Sequence, residues 1–236
     1  MGQLTALSDN RGIRTSRDVR RIRLTVVLGL LALALLYTCS RSGTATPESS
    51  PPGYALLVDT FSPPNAAWAR FETEESAVTA LAGELYLEDL GKGIAAYTQL
   101  IGKTYDEVKI TVDVRQVQGT LNNWMGVICG HQDDDNYYLV AISADGYYLI
   151  LGNQSGFAAP LSGPESTSTI NTGKAENRLE VSCEDTQLTL RVNGELVAQY
   201  MDRSLKAAGQ VALFADAIDQ GQTTVVAFDN FSLSEP

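Results

Sequence analysis

Histidine is almost absent from this 236-residue chain, which contains one, His131. A metal centre built from several histidines is therefore excluded, and any Ser-His-Asp triad would have to run through that single ring. Cysteine is scarce as well, and Cys39, Cys129 and Cys183 include no C-x-x-C pair, which removes the usual zinc and dithiol redox motifs. No phosphate-binding loop or dinucleotide-binding fingerprint occurs, since the glycines stand singly at turns. Basic residues are outnumbered, with 17 Lys and Arg against 28 Asp and Glu and a formal charge of −11. Six arginines and two aspartates give residues 1–40 a charge of +4, which leaves −15 on residues 41–236. A surface that acidic repels phosphate backbones, so nucleic acid is not an expected partner, whereas calcium, cationic ligands and neutral sugars are left open.

Long apolar runs are lacking except for residues 24–39, LTVVLGLLALALLYTC, which directly follow an Arg-rich stretch. That polarity is the polarity of an export signal or signal anchor, with the basic end held inside and the rest of the chain outside. A helix of this length rises about 24 Å against a hydrocarbon core of ~30 Å, which fits a cleaved signal, while the long basic segment before it fits an anchor. Leu36-Tyr37-Thr38-Cys39 offers a third course, lipidation of Cys39, although Tyr37 and Thr38 depart from the small residues that such a site uses. Arg20-Arg21 is set aside as a twin-arginine signal because Arg23 stands where an apolar residue belongs. Residues 40–54, rich in Ser, Thr and Pro, cannot build a core and read as an extended linker. The expected organisation is a basic cytoplasmic segment at 1–23, a transmembrane anchor or signal at 24–39, the linker at 40–54 and one globular domain at 55–236. That places the chain in a cell membrane, single-pass with its C-terminal domain outside, or alternatively as a lipoprotein or secreted protein.

From Tyr54 onward short apolar or alternating runs recur between turn residues, without a sustained 3.6-residue stripe, and this is an all-β pattern. In 108–115, VKITVDVR, Val108, Ile110, Val112 and Val114 point to one face and Lys109, Thr111, Asp113 and Arg115 to the other. Asn193-Gly194 between 188–192 and 195–200 predicts a two-residue hairpin, because both residues tolerate positive φ. A second hairpin is expected where Ala144-Asp145-Gly146 joins 137–143 to 147–151. Further strands are expected near 85–87, 95–99, 124–130, 179–183, 210–215 and 223–233, with one helical turn around 201–208. About a dozen strands at this spacing predict two packed antiparallel sheets. No repeat of fixed period is present, which argues against a propeller or solenoid.

Taken in order, Asp59-Thr-Phe61, Gly126-Val-Ile-Cys129, Asp135-Asn-Tyr-Tyr138, Asp145-Gly-Tyr-Tyr148, Asn177-Arg-Leu-Glu-Val181, Val192-Asn-Gly194, Gly209-Gln-Val-Ala-Leu213 and Phe228-Asp-Asn-Phe231 span almost all of 55–236. This ordered set resembles the concanavalin A-like lectin/glucanase superfamily and is similar to its bacterial laminin-G-like and 3-keto-disaccharide-hydrolase-like members. The resemblance implies a two-sheet antiparallel jelly-roll sandwich, here preceded by one N-terminal hydrophobic helix. It leaves function open, because this fold hosts lectins, glycosidases, adhesion modules and structural domains.

Glucanases of this superfamily carry Glu-x-Asp-x-x-Glu or Glu-x-Asp-x-Glu on one strand, so that both acids face the cleft, and neither pattern is present. No catalytic residue is therefore assigned. Glu84, Glu88-Asp89, Asp106-Glu107 and Glu184-Asp185 read as solvated surface charge, and His131 as a loop residue ahead of Asp133-Asp134-Asp135. The resemblance implies that a structural calcium, if present, would sit where the first and last strands meet, at Asp59 and Asp229; the HQDDDN loop at 131–136 is a second set of oxygen donors. Cys129 and Cys183 are candidates for a disulfide in an oxidising compartment, or for two buried thiols. For a glycan the candidates are the rings of Trp124, Tyr137, Tyr138, Tyr147 and Tyr148, with Arg115 and Asn136 as hydrogen-bond partners. Alternation allows only one ring of each Tyr-Tyr pair to face a groove. Three functions follow: an exported, membrane-tethered, non-catalytic module for carbohydrate or a cell-surface polymer; a structural or protein-binding ectodomain; and a glycoside-hydrolase-like enzyme, which would need a deep pocket of carboxylates with shifted pKa values.

Overall fold

In a computed structural model of the chain the described residues are 55–62 and 67–236. The basic segment 1–23, the apolar segment 24–39 and the linker 40–54 lie outside them. Among the described residues no helix is long and apolar enough to cross a membrane. The chain runs through β1 (Ala55–Asp59), β2 (Ser76–Leu81), β3 (Glu84–Asp89), β4 (Ala96–Gln99), β5 (Val108–Gln118), β6 (Trp124–Asp133) and β7 (Asn136–Ser143). It continues through β8 (Tyr147–Gln154), β9 (Phe157–Ser166), β10 (Asn177–Glu184), β11 (Gln187–Val192), β12 (Glu195–Met201), β13 (Gln210–Asp216) and β14 (Thr224–Ser234).

These strands form two antiparallel sheets. One has the order β12-β11-β10-β5-β14-β3-β2, with β1 also on β14, and the other the order β4-β13-β6-β7-β8-β9. One edge of β14 pairs with β5 along its length, and the other takes β3 over Thr224–Phe228 and then β1 over Phe231–Ser234. The alternation read in β5 survives: Val108, Ile110, Val112 and Val114 are fully buried between the sheets, with Leu179, Val181, Leu190, Phe228 and Leu233 beside them. The inner residues of the facing sheet, among them Val127, Val140, Ile142, Ile150 and Leu213, complete this core. Burial of an aliphatic side chain on this scale stabilises by roughly 1.5–3 kcal/mol. A Cys129–Cys183 disulfide joins β6 to β10 through the core, with Cα atoms 6.5 Å apart and a sequence separation of 54. A loop of that length limits the unfolded chain by about 4 kcal/mol.

Three two-residue hairpin loops have positive φ at both positions, Asn193-Gly194, Ala82-Gly83 and Ser155-Gly156. The first carries the expected residues, and Asn193 fastens the turn by accepting from the N–H of Arg178 (2.9 Å) and donating to the carbonyl of Thr169 (2.8 Å). The other two place Ala82 and Ser155 where Asn is usual, so β2–β3 and β8–β9 lack the sequence signal for a hairpin. β9 is an edge strand interrupted by Pro160 and Pro164, which an edge tolerates because one side needs no N–H donors. Where a helical turn was expected at 201–208, β12 ends at Met201 and no helix follows. Trp68 lies in the main core, donates from Nε1 to Asp59 Oδ2 (3.0 Å) and meets Phe231 edge to face at 4.9 Å.

Candidate functional site around His131

Every described strand belongs to one of the two sheets, so each sheet has one face on the common core and one turned away from it. On the eight-stranded sheet the outward face is polar. Arg115 grips Glu84 at 2.7 Å through both carboxylate oxygens, Arg178 meets Asp113 at 2.8 Å, and Lys109 meets Glu180 at 3.4 Å. Burial pushes Glu84 up, but the hydrogen bonds from Arg115 and Tyr86 outweigh it and hold the carboxyl below its ordinary range.

The outward face of the six-stranded sheet is different. The strand registers align its side chains in rows across β4, β13, β6, β7 and β8. One row reads Tyr97, Phe214, Gly126, Ala141 and Leu149; the next reads Gln99, Ala212, Ile128, Leu139 and Leu151. Together with Trp124 and Tyr137 these apolar side chains form a second buried cluster. Gly126 is obligatory there, because a Cβ would lie 2.2 Å from the carbonyl oxygen of Val140.

The two ends of this face are polar. At one end Asp216 stands opposite Trp124, and Trp124 opposite Ser143. Asp216 is 2% exposed and its Oδ1 has no hydrogen-bond partner. Burial, reinforced by the charge of Asp89, raises its pKa to about 7. Asp89 is also shifted upward by burial, against the N–H groups of Ala217 (2.7 Å) and Gly91 (2.8 Å), which donate to its oxygens. Asp89 is thus not the solvated surface acid expected from its neighbours in sequence, because β3 points it inward at the end of the row Leu85, Leu87, Asp89.

At the other end lies His131, in the last part of β6 and 5% exposed rather than in a solvated loop. Its ring stacks near Tyr137 (centroids 6.0 Å, 21° between planes) and Tyr97 (5.6 Å). Its Nδ1 lies 3.1 Å from Gln99 Nε2 and accepts there, so Nε2 carries the proton, 3.7 Å from Asp134 Oδ1. Burial lowers the pKa of His131, more than the nearby charges of Asp134 and Asp133 raise it. The neutral ring is therefore favoured in the fold, and stability is lost as pH falls below the ordinary value of 6.5, where the unfolded chain binds the proton more readily. Tyr97 donates to Asp134 Oδ1 (2.7 Å), and Asn153 donates to the carbonyl of Asp134 (3.0 Å) while its own Oδ1 has no partner.

His131 also lines a cavity of about 320 Å³ with Thr104, Tyr105, Asp106, Gln132, Ala208, Gly209 and Gln210. The backbones of Tyr105 and Gly209 bond to each other both ways at 2.9 Å. Gly209 passes so close to β6 that a Cβ would lie 2.4 Å from the carbonyl carbon of Gly130.

The structure brings together only some of the residues singled out from the sequence. Trp124 and Tyr137 share the outward face of the six-stranded sheet, at opposite ends and both 5% exposed. Tyr138 turns into the main core, where its hydroxyl donates to Asp202 (2.6 Å) and accepts from the N–H of Leu205 (3.2 Å). Tyr148 also faces the core and reaches Glu165 at 3.2 Å, while Tyr147 is more than one-third exposed beside the Ser143 turn. Arg115 belongs to the other sheet, and Asn136 closes the 133–136 turn by donating to Asp133 Oδ1 (2.8 Å). Asp59 lies opposite Phe231, two residues from Asp229, but its oxygens accept from the N–H of Phe61 (2.7 Å) and from Trp68, and Asp229 accepts from the N–H of Asn230 (2.6 Å). Among the described residues no three Asp, Glu, His or Cys side chains gather as metal ligands. Tyr97, Gln99 and Asn153 were not singled out from the sequence, because only the strand order sets them around His131.

The architecture can be compared with known structures. The chain is 15% identical to a carbohydrate-binding module, CBM66 from Bacillus subtilis, over 72% of this chain and 96% of that one, with a TM-score of 0.58. A protein of unknown function with a galectin-like fold, also from Bacillus subtilis, matches with a TM-score of 0.58 at 9% identity, covering 78% and 96% of the two chains. A GH43 protein from Bacillus licheniformis matches at 15% identity and a TM-score of 0.57, over 76% of this chain and 39% of that one. The fold they share with this chain is a two-sheet jelly-roll sandwich. At these identities the likeness extends to the fold alone. No family model and no curated protein sequence matches the chain.

Proposed function

We propose that this protein is a non-catalytic carbohydrate-binding module, exported and tethered to a cell membrane through residues 24–39, with its sandwich outside. The observation that carries this reading is the set of free hydrogen-bonding groups around the His131 cavity. Thr104, Asp106, Gln132 and Gln210 line it, and among the described residues no side-chain hydrogen bond engages them. Sugar hydroxyls need such a mixture of donors and acceptors, and the Tyr97–His131–Tyr137 ring cluster holds the adjoining wall rigid. The jelly-roll frame, shared with a carbohydrate-binding module, is compatible with this use. Against an enzyme, the two carboxyls that burial shifts upward, Asp89 and Asp216, are 1% and 2% exposed and so are closed to a substrate.

A structural or protein-binding ectodomain is the second reading, and Phe157, an apolar side chain left exposed on the edge strand β9, favours it. The two are separated by presenting the full chain, in detergent, to a broad glycan and polysaccharide panel with and without a chelator. Saturable binding in the presence of chelator is the expected result. Silence across the panel from a folded protein would transfer the assignment to the second reading.

A further inference from the structure

We infer that the His131 cavity takes the terminal unit of a glycan, uncharged or bearing an amine, and rejects uronic and sialic acids; this deepens the carbohydrate reading and depends on it. Size is the first reason. At about 320 Å³ the open cavity lies at the small end of the range for ligand sites, the scale of one sugar ring. Construction is the second. The bonded backbones of Tyr105 and Gly209 form part of its wall, and Gly209 is seated against Gly130 and His131 with no room for a side chain. A wall built from paired backbone holds a fixed shape, which suits one sugar end better than a sliding polymer.

Charge is the third reason. Asp106 is the one charged side chain among the lining residues, and neither Lys nor Arg lines the cavity. Asp133, Asp134 and Asp135 follow Gln132 directly, and burial keeps His131 from supplying a compensating positive charge. Lys103 and Lys206 are near in sequence but do not line the cavity. A carboxylate on the ligand would meet this field without a cation to pair with, whereas Asp106 can accept from two neighbouring hydroxyls or from an ammonium group.

The test uses the full chain in detergent at low salt, with free glucose, galactose, mannose, glucosamine, galacturonic acid and N-acetylneuraminic acid as probes, read by ligand-observed saturation-transfer NMR. Asp106→Asn and Gln210→Ala are compared with the native chain, their folding checked by circular dichroism. The expected result is binding of at least one neutral or amino sugar, none of either acid, and a tenfold or greater loss in both variants. Acidic sugars that bind as well as neutral ones would overturn the charge selection. Sugar binding that both variants leave intact would overturn the cavity while leaving the carbohydrate reading standing. Failure of every free sugar and of the polysaccharide panel would overturn the inference and that reading together.

Discussion

The two outward faces of this sandwich are built from strands of similar length, yet one is a lattice of paired charges and the other an apolar layer. On the eight-stranded sheet Arg115–Glu84, Arg178–Asp113 and Lys109–Glu180 alternate with the core residues behind them, which is how a half-solvated antiparallel sheet reads. On the six-stranded sheet both faces are apolar: Val127, Val140 and Ile150 face the common core, and Ile128, Leu139 and Leu151 face away from it. Polarity returns only at the ends of that second face, around Asp216 and around His131. The difference teaches that buried chemistry in this molecule concentrates where an apolar layer meets its polar boundary. There desolvation is strong enough to move the protonation equilibria of Asp216 and His131.

The contrast can be broken most sharply at Leu139. Truncation to alanine should cost roughly 2–5 kcal/mol in chemical denaturation, as expected of a core position, while Lys109→Ala on the other sheet should cost about 0.5 kcal/mol or less. Equal, small losses would show that the second face is not a packed layer. Next in size is Asp216→Asn. The carboxyl keeps its proton in the fold up to about pH 7 but loses it near 3.8 when free. Its contribution to stability therefore falls as pH rises between those values, and the buried charge opposes folding above them. The variant should be more stable than the native chain by a few kcal/mol at pH 8 and indistinguishable from it near pH 4, as measured by thermal unfolding at both pH values. An equal effect at the two values would mean that the carboxyl is not buried uncharged. Smaller again is Arg115→Ala, which should lower stability by about 1 kcal/mol, above the Lys109→Ala effect, and the loss should shrink in 1 M salt because the pair is partly exposed.

Which parts of this were readable in advance depended on the locality of the signal. The period-two pattern of β5 and the Asn193-Gly194 turn are properties of a few adjacent residues, and both appear as expected. β9 was missed, because FAAPLSGPES has neither alternation nor β-branched residues and owes its strand form to its pairing with β8. The strand β7 itself was expected, yet the roles of its two tyrosines were not, because alternation separates Tyr137 from Tyr138 without saying which faces the core.

Composition and short-range pattern determine the fold class and some limits on it: alternating runs read as a β-sandwich, and one histidine and no C-x-x-C pair leave no site of several histidines and no adjacent dithiol. The site depends on register instead. Tyr97, His131, Tyr137 and Asn153 lie on four different strands, and Thr104 and Gly209 more than a hundred residues apart in the chain. They meet because hydrogen-bonded ladders bring β4, β13, β6, β7 and β8 side by side, and a shift of one residue in any ladder would turn that strand's members to the opposite face.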